Sequence, residues 1–444
     1  MKFSHLACSV VILVSLSVVS VHSHNEHKGL HHWEIPSKDP DRIILTFYGD
    51  PATSRAVTWR TDSSITQAVA QIAVATVNSK FTDFAMTKNA VTEPFDLGLY
   101  KGNNSLIVHY HSLIFENLEP DTLYAYRVGD GREHWSEWIQ FRTAKKGYAP
   151  SQFVYFGDAQ NKILEHWTRV IRMAYQTAPN ASFAIHAGDL VNRAHRDTEW
   201  AEWFKSGGFI HSQWTAIPVV GNHEFSALAE GEPRKLSIQW RPQFTLPVEN
   251  DLVSELHESV YAVDYQDVRV IALNSNDHLE AQTNYIEKQL KDCKAKWKII
   301  TCHHSIFAPA KGRNFQFARD HWKPLLDKYS VDLVLNGHDH TYVRGHVPVL
   351  TTDSKDAGEL GTVYVTSVSG PKMYELVPEQ LDSYSVDGYK PDKTAEQTQF
   401  FQVITIKDNA LTYIAYTALG EEYDRAVIIK DFETGKKELR HKEE

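Results

Sequence analysis

Five apolar β-type runs beyond residue 150 of this chain each end on residues able to bind a metal, and few folds satisfy all five at once. The runs stop at Gly157-Asp158, Gly188-Asp189, Gly221-Asn222-His223-Glu224, Cys302-His303-His304 and Gly337-His338-Asp339-His340. In α/β sheets the carboxyl ends of strands open into one crevice, so the first loop residues of distant segments become neighbours. Glycine before Asp158, Asp189, Asn222 and His338 lets a strand break sharply and lets backbone approach an ion with no side chain in the way. One Gly-Asp after a strand is normally a turn; the repeated arrangement reads as a site.

Carboxylates, an amide oxygen and imidazoles form a hard-to-borderline donor set, suited to iron, zinc or manganese rather than to an all-oxygen calcium cage. The donors are too many for one tetrahedral zinc. Two adjacent ions sharing a bridging carboxylate would use them, clamp a phosphate, generate a hydroxide at moderate pH and stabilise the leaving oxygen. The expected reaction is phosphoester hydrolysis.

The rest of the 444 residues organises around these strand ends. From Pro150 onward apolar strands alternate with helical segments; Phe153-Val154-Tyr155-Phe156 precedes a stretch that places Ile163, Trp167, Val170, Ile171 and Ala174 on one helical face. That predicts an α/β domain over 150–375, with β-type runs in 376–444 completing it as a β-sandwich flanked by helices. Residues 38–145 instead hold short β-branched and aromatic runs between Gly, Pro, Asp and Asn clusters, the pattern of an all-β sandwich. Trp59 suits its core, and Leu118-Glu119-Pro120-Asp121-Thr122-Leu123-Tyr124 resembles the tyrosine corner of a fibronectin type III domain.

Met1-Lys2, an apolar run from Leu6 to Val19 and Val21-His22-Ser23 read as a signal peptide over 1–23, with a polar His-rich leader over 24–37. A secretory route, extracellular or to a lysosome-like lumen, gives meaning to the sequons at Asn103 and Asn180. Past the signal peptide only Cys293 and Cys302 remain, which excludes a disulfide-built scaffold. A formal net charge of -10 argues against a broad nucleic-acid or anionic-membrane surface, so the expected partner is a small-molecule phosphoester, nucleotides included. No membrane anchor is expected, and oligomeric state is not readable.

Asp158, Gly188-Asp189, Gly221-Asn222-His223-Glu224, His303 and Gly337-His338-Asp339-His340 resemble, in order and spacing, the motif blocks of calcineurin-like metallophosphoesterases, particularly purple acid phosphatases. Larger members of that family also carry a fibronectin-like domain in front. The resemblance implies that Asp158 and His340 hold a first metal, that Asp189 bridges, and that Asn222, His303 and His338 hold a second. It implies Fe and/or Zn, with Mn as a further candidate, and hydrolysis of phosphate monoesters by in-line attack of a metal-bound hydroxide. His223 matches a position beside the leaving group, where an imidazole donates a proton. His303 is preferred to His304 as ligand, although Ser305 stands where the family usually has Pro.

Two departures bear on the metals. Asn192 replaces the tyrosine expected three residues after the bridging aspartate, which predicts a colourless centre with a weaker hold on ferric iron. Gln160 replaces a glycine two residues after Asp158 and is a candidate to fill the vacant coordination place, as is Asn192. His304, Tyr342 and Arg344 are candidates for the phosphate, the arginine through its two-pronged guanidinium. A phosphodiesterase or nucleotide hydrolase, and a non-catalytic secreted binding protein, are the competing readings.

Overall fold

The computed structural model describes residues 31, 33–100, 104–349 and 359–441. The expected signal peptide, most of the His-rich leader and Asn103 lie outside them. The chain divides at Ile35, and the unit Pro36–Glu444 holds the architecture below. Among the described residues no helix is long and apolar enough to cross a membrane.

Ser151–Phe156, Phe183–His186 and Thr215–Pro218 bury nearly every side chain, as parallel strands covered on both faces do. They pair side by side, Phe153 opposite Phe183 and Phe183 opposite Thr215. A second parallel set, Val268–Leu273, Trp297–Cys302, Leu333–Asn336 and Leu360–Thr366, is equally apolar. Each set anchors a larger sheet; among the described residues these have eleven and seven strands. Phe153, Tyr155 and Ile185 of one and Val270, Leu333 and Val363 of the other belong to a single buried cluster. The helix facing Ser151–Phe156 runs through one wide turn, Ile163–Trp167, into Thr168–Thr177, and all five predicted face residues are buried.

The front segment does not hang on a linker. Its strand Asp41–Thr46 pairs in parallel with Thr215–Pro218, so Arg55–Asp62, Asn104–Phe115 and Val91–Tyr100 extend the eleven-stranded sheet. Met86–Asn89, Val69–Val74, Leu123–Gly129 and Ile139–Arg142 form the opposing four-stranded sheet, and Trp59 is fully buried between them. The Tyr124 hydroxyl accepts the Glu119 N–H at 2.8 Å, which is the corner read from the sequence. Arg42 and Arg60 converge on Asp197 at 2.8 and 3.4 Å, joining this segment to the helix Asp197–Gly207.

At the other edge Phe400–Lys407, Ala410–Thr417, Glu422–Lys430 and Lys437–His441 continue the eleven-stranded sheet as a meander, while Lys390–Ala395 joins the seven-stranded one. Cys302 is a buried free thiol that burial pushes up to about 12; Cys293 is free and half-buried.

Behind the parallel strands, Trp167, Trp203 and His211 stack on one another, with 4.0 Å between the Trp203 and His211 ring centroids, and His186 meets both tryptophans edge-on. Burial lowers both imidazoles, His211 to about 4 and His186 well below its ordinary value. In the unfolded chain each takes a proton near pH 6.5, so between about 6.5 and 4 the unfolded state binds more protons and stability falls on acidification. One such group costs up to about 1.4 kcal/mol per pH unit. His211→Gln, whose amide can keep the hydrogen bond to the Trp203 carbonyl, is expected to flatten the acid slope of urea midpoints; an unchanged slope would mean that His211 is charged in the fold.

Candidate metal centre

The five strand ends meet where the two sheets face each other. Asp158, Asp189 and Asn222 follow strands of the eleven-stranded sheet; His303 and His338 follow strands of the seven-stranded one. Asp158, Asp189, His303 and His340 are no more than 1% exposed. Gly188 has φ +89°, and a Cβ there would lie 2.6 Å from His303 Nδ1; one on Gly221 would lie 2.2 Å from Asp189 Oδ1. The cradle is therefore open only to glycine. Asp189 and His338 themselves adopt positive φ, 50° and 70°, a conformation that surrounding contacts must impose on non-glycine residues.

Glu224 imposes much of it. Its carboxylate accepts the N–H groups of Gly221 (2.7 Å), Asp189 (2.8 Å), Leu190 (2.8 Å) and Val191 (3.2 Å), binding the second loop to the third. Burial and then Asp189 push the Glu224 carboxyl up to about 8, against the pull of those N–H groups. Asp158 ties in the fifth loop by accepting the His338 N–H at 2.6 Å.

The donor atoms sort into two halves that share Asp189. In the first, one donor atom each from Asp189, His303 and His338 lies within 4.8 Å of the others. His303 donates its Nδ1 proton to the Ala187 carbonyl at 2.9 Å. Its Nε2 then faces Asn222 Oδ1 at 3.1 Å, His338 Nδ1 at 3.2 Å and Asp189 Oδ1 at 3.3 Å. Lone pairs converging in a buried pocket require a positive charge among them. Burial opposes a proton on His303, yet Asp189 and Asp158 outweigh it and raise the imidazole to about 9. This half fits a divalent cation of borderline hardness.

In the second half His340 donates Nδ1–H to the Lys372 carbonyl at 2.9 Å and turns Nε2 to Asp158 Oδ2 at 3.3 Å. Burial would raise the Asp158 carboxyl, but His303 and His340 hold it well below the usual carboxylate range. Gln160 lies inside this half, its Nε2 donating to Asp189 Oδ2 at 2.8 Å.

His223 stands at the rim with 28% of its side chain exposed. Its N–H is held by Asp189 Oδ1 at 2.8 Å, and its Nδ1–H donates to the Asn192 carbonyl at 2.7 Å. Proton exchange with a substrate is thereby left to Nε2. Asn192 acts here through its backbone, whose N–H goes to Glu199 Oε2 at 2.8 Å; its side-chain amide makes no hydrogen bond to the donor set. His304 is hydrogen-bonded to Ser275 through Nδ1 at 2.8 Å and packs against the His338 ring with centroids 4.2 Å apart, so it buttresses His338.

Tyr342 and Arg344 are not at the site, contrary to the expectation that they face phosphate. The strand Tyr342–Pro348 runs back from the Gly337–His340 turn into the protein, antiparallel to Leu360–Thr366. Both side chains are buried against Asp424 of the opposite sheet: Tyr342 Oη donates to it at 2.6 Å, and Arg344 pairs with it at 2.7 and 2.9 Å while reaching Asp392 at 2.9 Å. The cation that does reach the centre is Arg313, on the irregular stretch after Trp297–Cys302. Its guanidinium abuts His338 Nε2 and donates to Tyr374 Oη at 3.0 Å, and the Tyr374 ring lies 4.7 Å from that of His340. Neither residue follows a strand end or repeats a spacing, so no sequence signal marked them. Asn180, the second sequon, is exposed in a turn.

Arg344→Met leaves Asp424 buried without its partner and is expected to cost about 3–5 kcal/mol of stability. The folded fraction should keep its turnover, as urea melts and active-site-normalised rates would show. Lost turnover at unchanged stability would return Arg344 to the substrate.

Residues 40–143 match the purple acid phosphatase N-terminal domain, and residues 151–342 match the calcineurin-like phosphoesterase domain. The uncharacterized protein Rv2577 of Mycobacterium tuberculosis is 26% identical over 341 residues, 68% of this chain and 62% of its own length. Fe(3+)-Zn(2+) purple acid phosphatase 12 of Arabidopsis thaliana is 24% identical over 268 residues, 55% of this chain and 54% of its own. The chain thus spans about three-fifths of the length of the curated relatives it matches. The structure of purple acid phosphatase PPD1 from yellow lupin covers 90% of this chain and 76% of its own with a TM-score of 0.70; at 19% identity the likeness is one of fold.

Proposed function

Because the chain belongs to the calcineurin-like phosphoesterases and carries the two-domain plan of the purple acid phosphatases, we propose that it is a secreted, metal-dependent hydrolase of small phosphate monoesters. The observation that carries this reading is the convergence of Asp158, Asp189, Asn222, His303, His338 and His340 from five strand ends, with His223 at the rim. Iron, zinc or manganese suits the donors, and metal held there would supply Lewis-acid activation of the phosphoryl group and of water.

The chain's own residues do the rest. His223, its Nδ1 proton fixed on the Asn192 carbonyl, presents Nε2 to the departing oxygen and protonates it as the ester bond breaks. Arg313, held beside His338 by Tyr374, offers a permanent charge to a phosphoryl oxygen. Beside His223 opens a groove of about 570 Å³, whose lining includes Arg193, His195, Arg196 and Arg234. A leaving group with anionic or polar substituents suits it.

Purified metal-loaded protein is expected to hydrolyse p-nitrophenyl phosphate faster than bis-p-nitrophenyl phosphate, and Asp189→Ala to abolish turnover of both. His223→Ala should lower kcat on an alkyl phosphate by about 10²–10⁴. It should matter less for p-nitrophenyl phosphate, whose leaving group needs no proton. Absence of turnover in a folded, metal-loaded protein overturns the hydrolase reading, and preference for the diester replaces monoesterase with diesterase. Secretion is tested separately: N-terminal sequencing of exported protein should begin at His24, and glycosidase treatment should reduce its mass if Asn180 or Asn103 is modified.

A further inference from the structure

Half of the metal centre is occupied by the protein's own side chain. Gln160 is fully buried, and its Nε2 lies 2.8 Å from Asp189 Oδ2, 3.2 Å from His340 Nε2 and 3.4 Å from Asp158 Oδ2. These three atoms would otherwise converge on a cation. His340 Nδ1 faces the Lys372 carbonyl, so in the neutral imidazole its Nε2 is an acceptor, and the amide NH₂ offers hydrogens to it and to the two carboxylates. The backbone is anchored beside the pocket: the N–H groups of Ala159 and Gln160 both donate to the Asp189 carbonyl at 3.1 Å. Turned over, the amide would set Oε1 against the Asp158 and Asp189 carboxylate oxygens, acceptor against acceptor. As placed, Oε1 is buried without a hydrogen-bond partner, the penalty for keeping NH₂ on the acceptors.

Charge points the same way. The two halves together contain two carboxylates, Asp158 and Asp189, which match one divalent cation. Gln160, Asn192 and Asn222 add none. Nearby Glu224 is turned to four backbone N–H groups, and Asp339 lies toward Arg313, 3.9 Å away. A second divalent ion would depend on an added anion, a hydroxide or a phosphate oxygen, for its balance in a buried cluster.

We propose that Gln160 is a built-in plug. The protein binds one divalent ion tightly through Asp189, Asn222, His303 and His338, and the Asp158–Asp189–His340 half admits a second only when the Gln160 amide is displaced or inverted. The inference rests on the metal-centre part of the function proposed above, but not on turnover, so a catalytically silent protein leaves it standing.

The test is metal stoichiometry by elemental analysis of the purified protein, with calorimetric titration of the chelator-treated protein by Zn²⁺ and Mn²⁺. Wild type is expected to take one tight ion, with a second weaker by roughly a hundredfold or more, the scale of one or two lost hydrogen bonds to charged groups. Gln160→Ala should bring the second affinity closer to the first. Gln160→Glu, nearly the same in shape, should convert the plug to a ligand, giving two tight ions and an exchange-coupled Mn²⁺ electron paramagnetic resonance signal. Circular dichroism verifies folding of each variant, and Asn222→Ala should weaken the single wild-type site. Wild type binding two ions with comparable affinity overturns the proposal, and so does wild type binding none. Loss of one ion in Gln160→Ala would overturn it as well and make Gln160 a ligand.

Discussion

Asp189 is the residue on which five segments of this protein close. Its carboxylate takes the His223 N–H and the Gln160 amide and stands 3.3 Å from His303 Nε2; its carbonyl takes two N–H groups from the loop after Asp158. Its own N–H is held by Glu224. One residue meets this many neighbours only where two sheets face each other, and only with positive φ on a glycine-lined cradle. The two sets of buried parallel strands, the helices outside them and the front sandwich pinned to Thr215–Pro218 keep those loops in register.

Such a centre is not a source of stability by itself. Carboxylates and imidazole lone pairs withdrawn from water cost free energy until something positive joins them. In the first half that role falls to a proton on His303 or to a cation. In the second the Gln160 amide supplies hydrogen bonds to the acceptors but no charge. The Tyr342–Arg344–Asp424–Asp392 cluster is the contrasting case: one guanidinium lies between two carboxylates and the phenol donates to one of them, so its members satisfy one another and bridge the sheets through their own hydrogen bonds. The same residue types, a few positions along the chain from the site, serve packing instead of chemistry.

The strand ends were legible in the sequence because the evidence for them is local. A run of Val, Ile, Phe and Tyr ending on glycine and a metal-binding residue sets both the element and the place where its first loop residue points. Asp158, Asp189, Asn222, His303, His338 and His340 come together as that pattern implied. So did the Trp59 core and the Tyr124 corner, since strand alternation and turn chemistry are also local.

What tertiary structure alone decided concerns residues whose neighbours come from elsewhere in the chain. Whether Arg344 meets a phosphate or Asp424 depends on which way the strand after the turn runs, and residue spacing carries no such direction. Arg313 and Tyr374 reach the centre on irregular stretches with no periodicity to read. Glu224 lies within a recognised motif, but its role as an acceptor for four backbone N–H groups requires a loop from another strand to be present. Gln160 showed in the sequence as a departure from pattern. That its amide nitrogen sits among three acceptors required Asp189 and His340 to be brought within 3.2 Å of it by two different sheets. The sequence by itself determined which donors exist and which strand ends carry them, because those are properties of short segments; the fold decided how their charges are balanced, because that depends on atoms far apart in the chain.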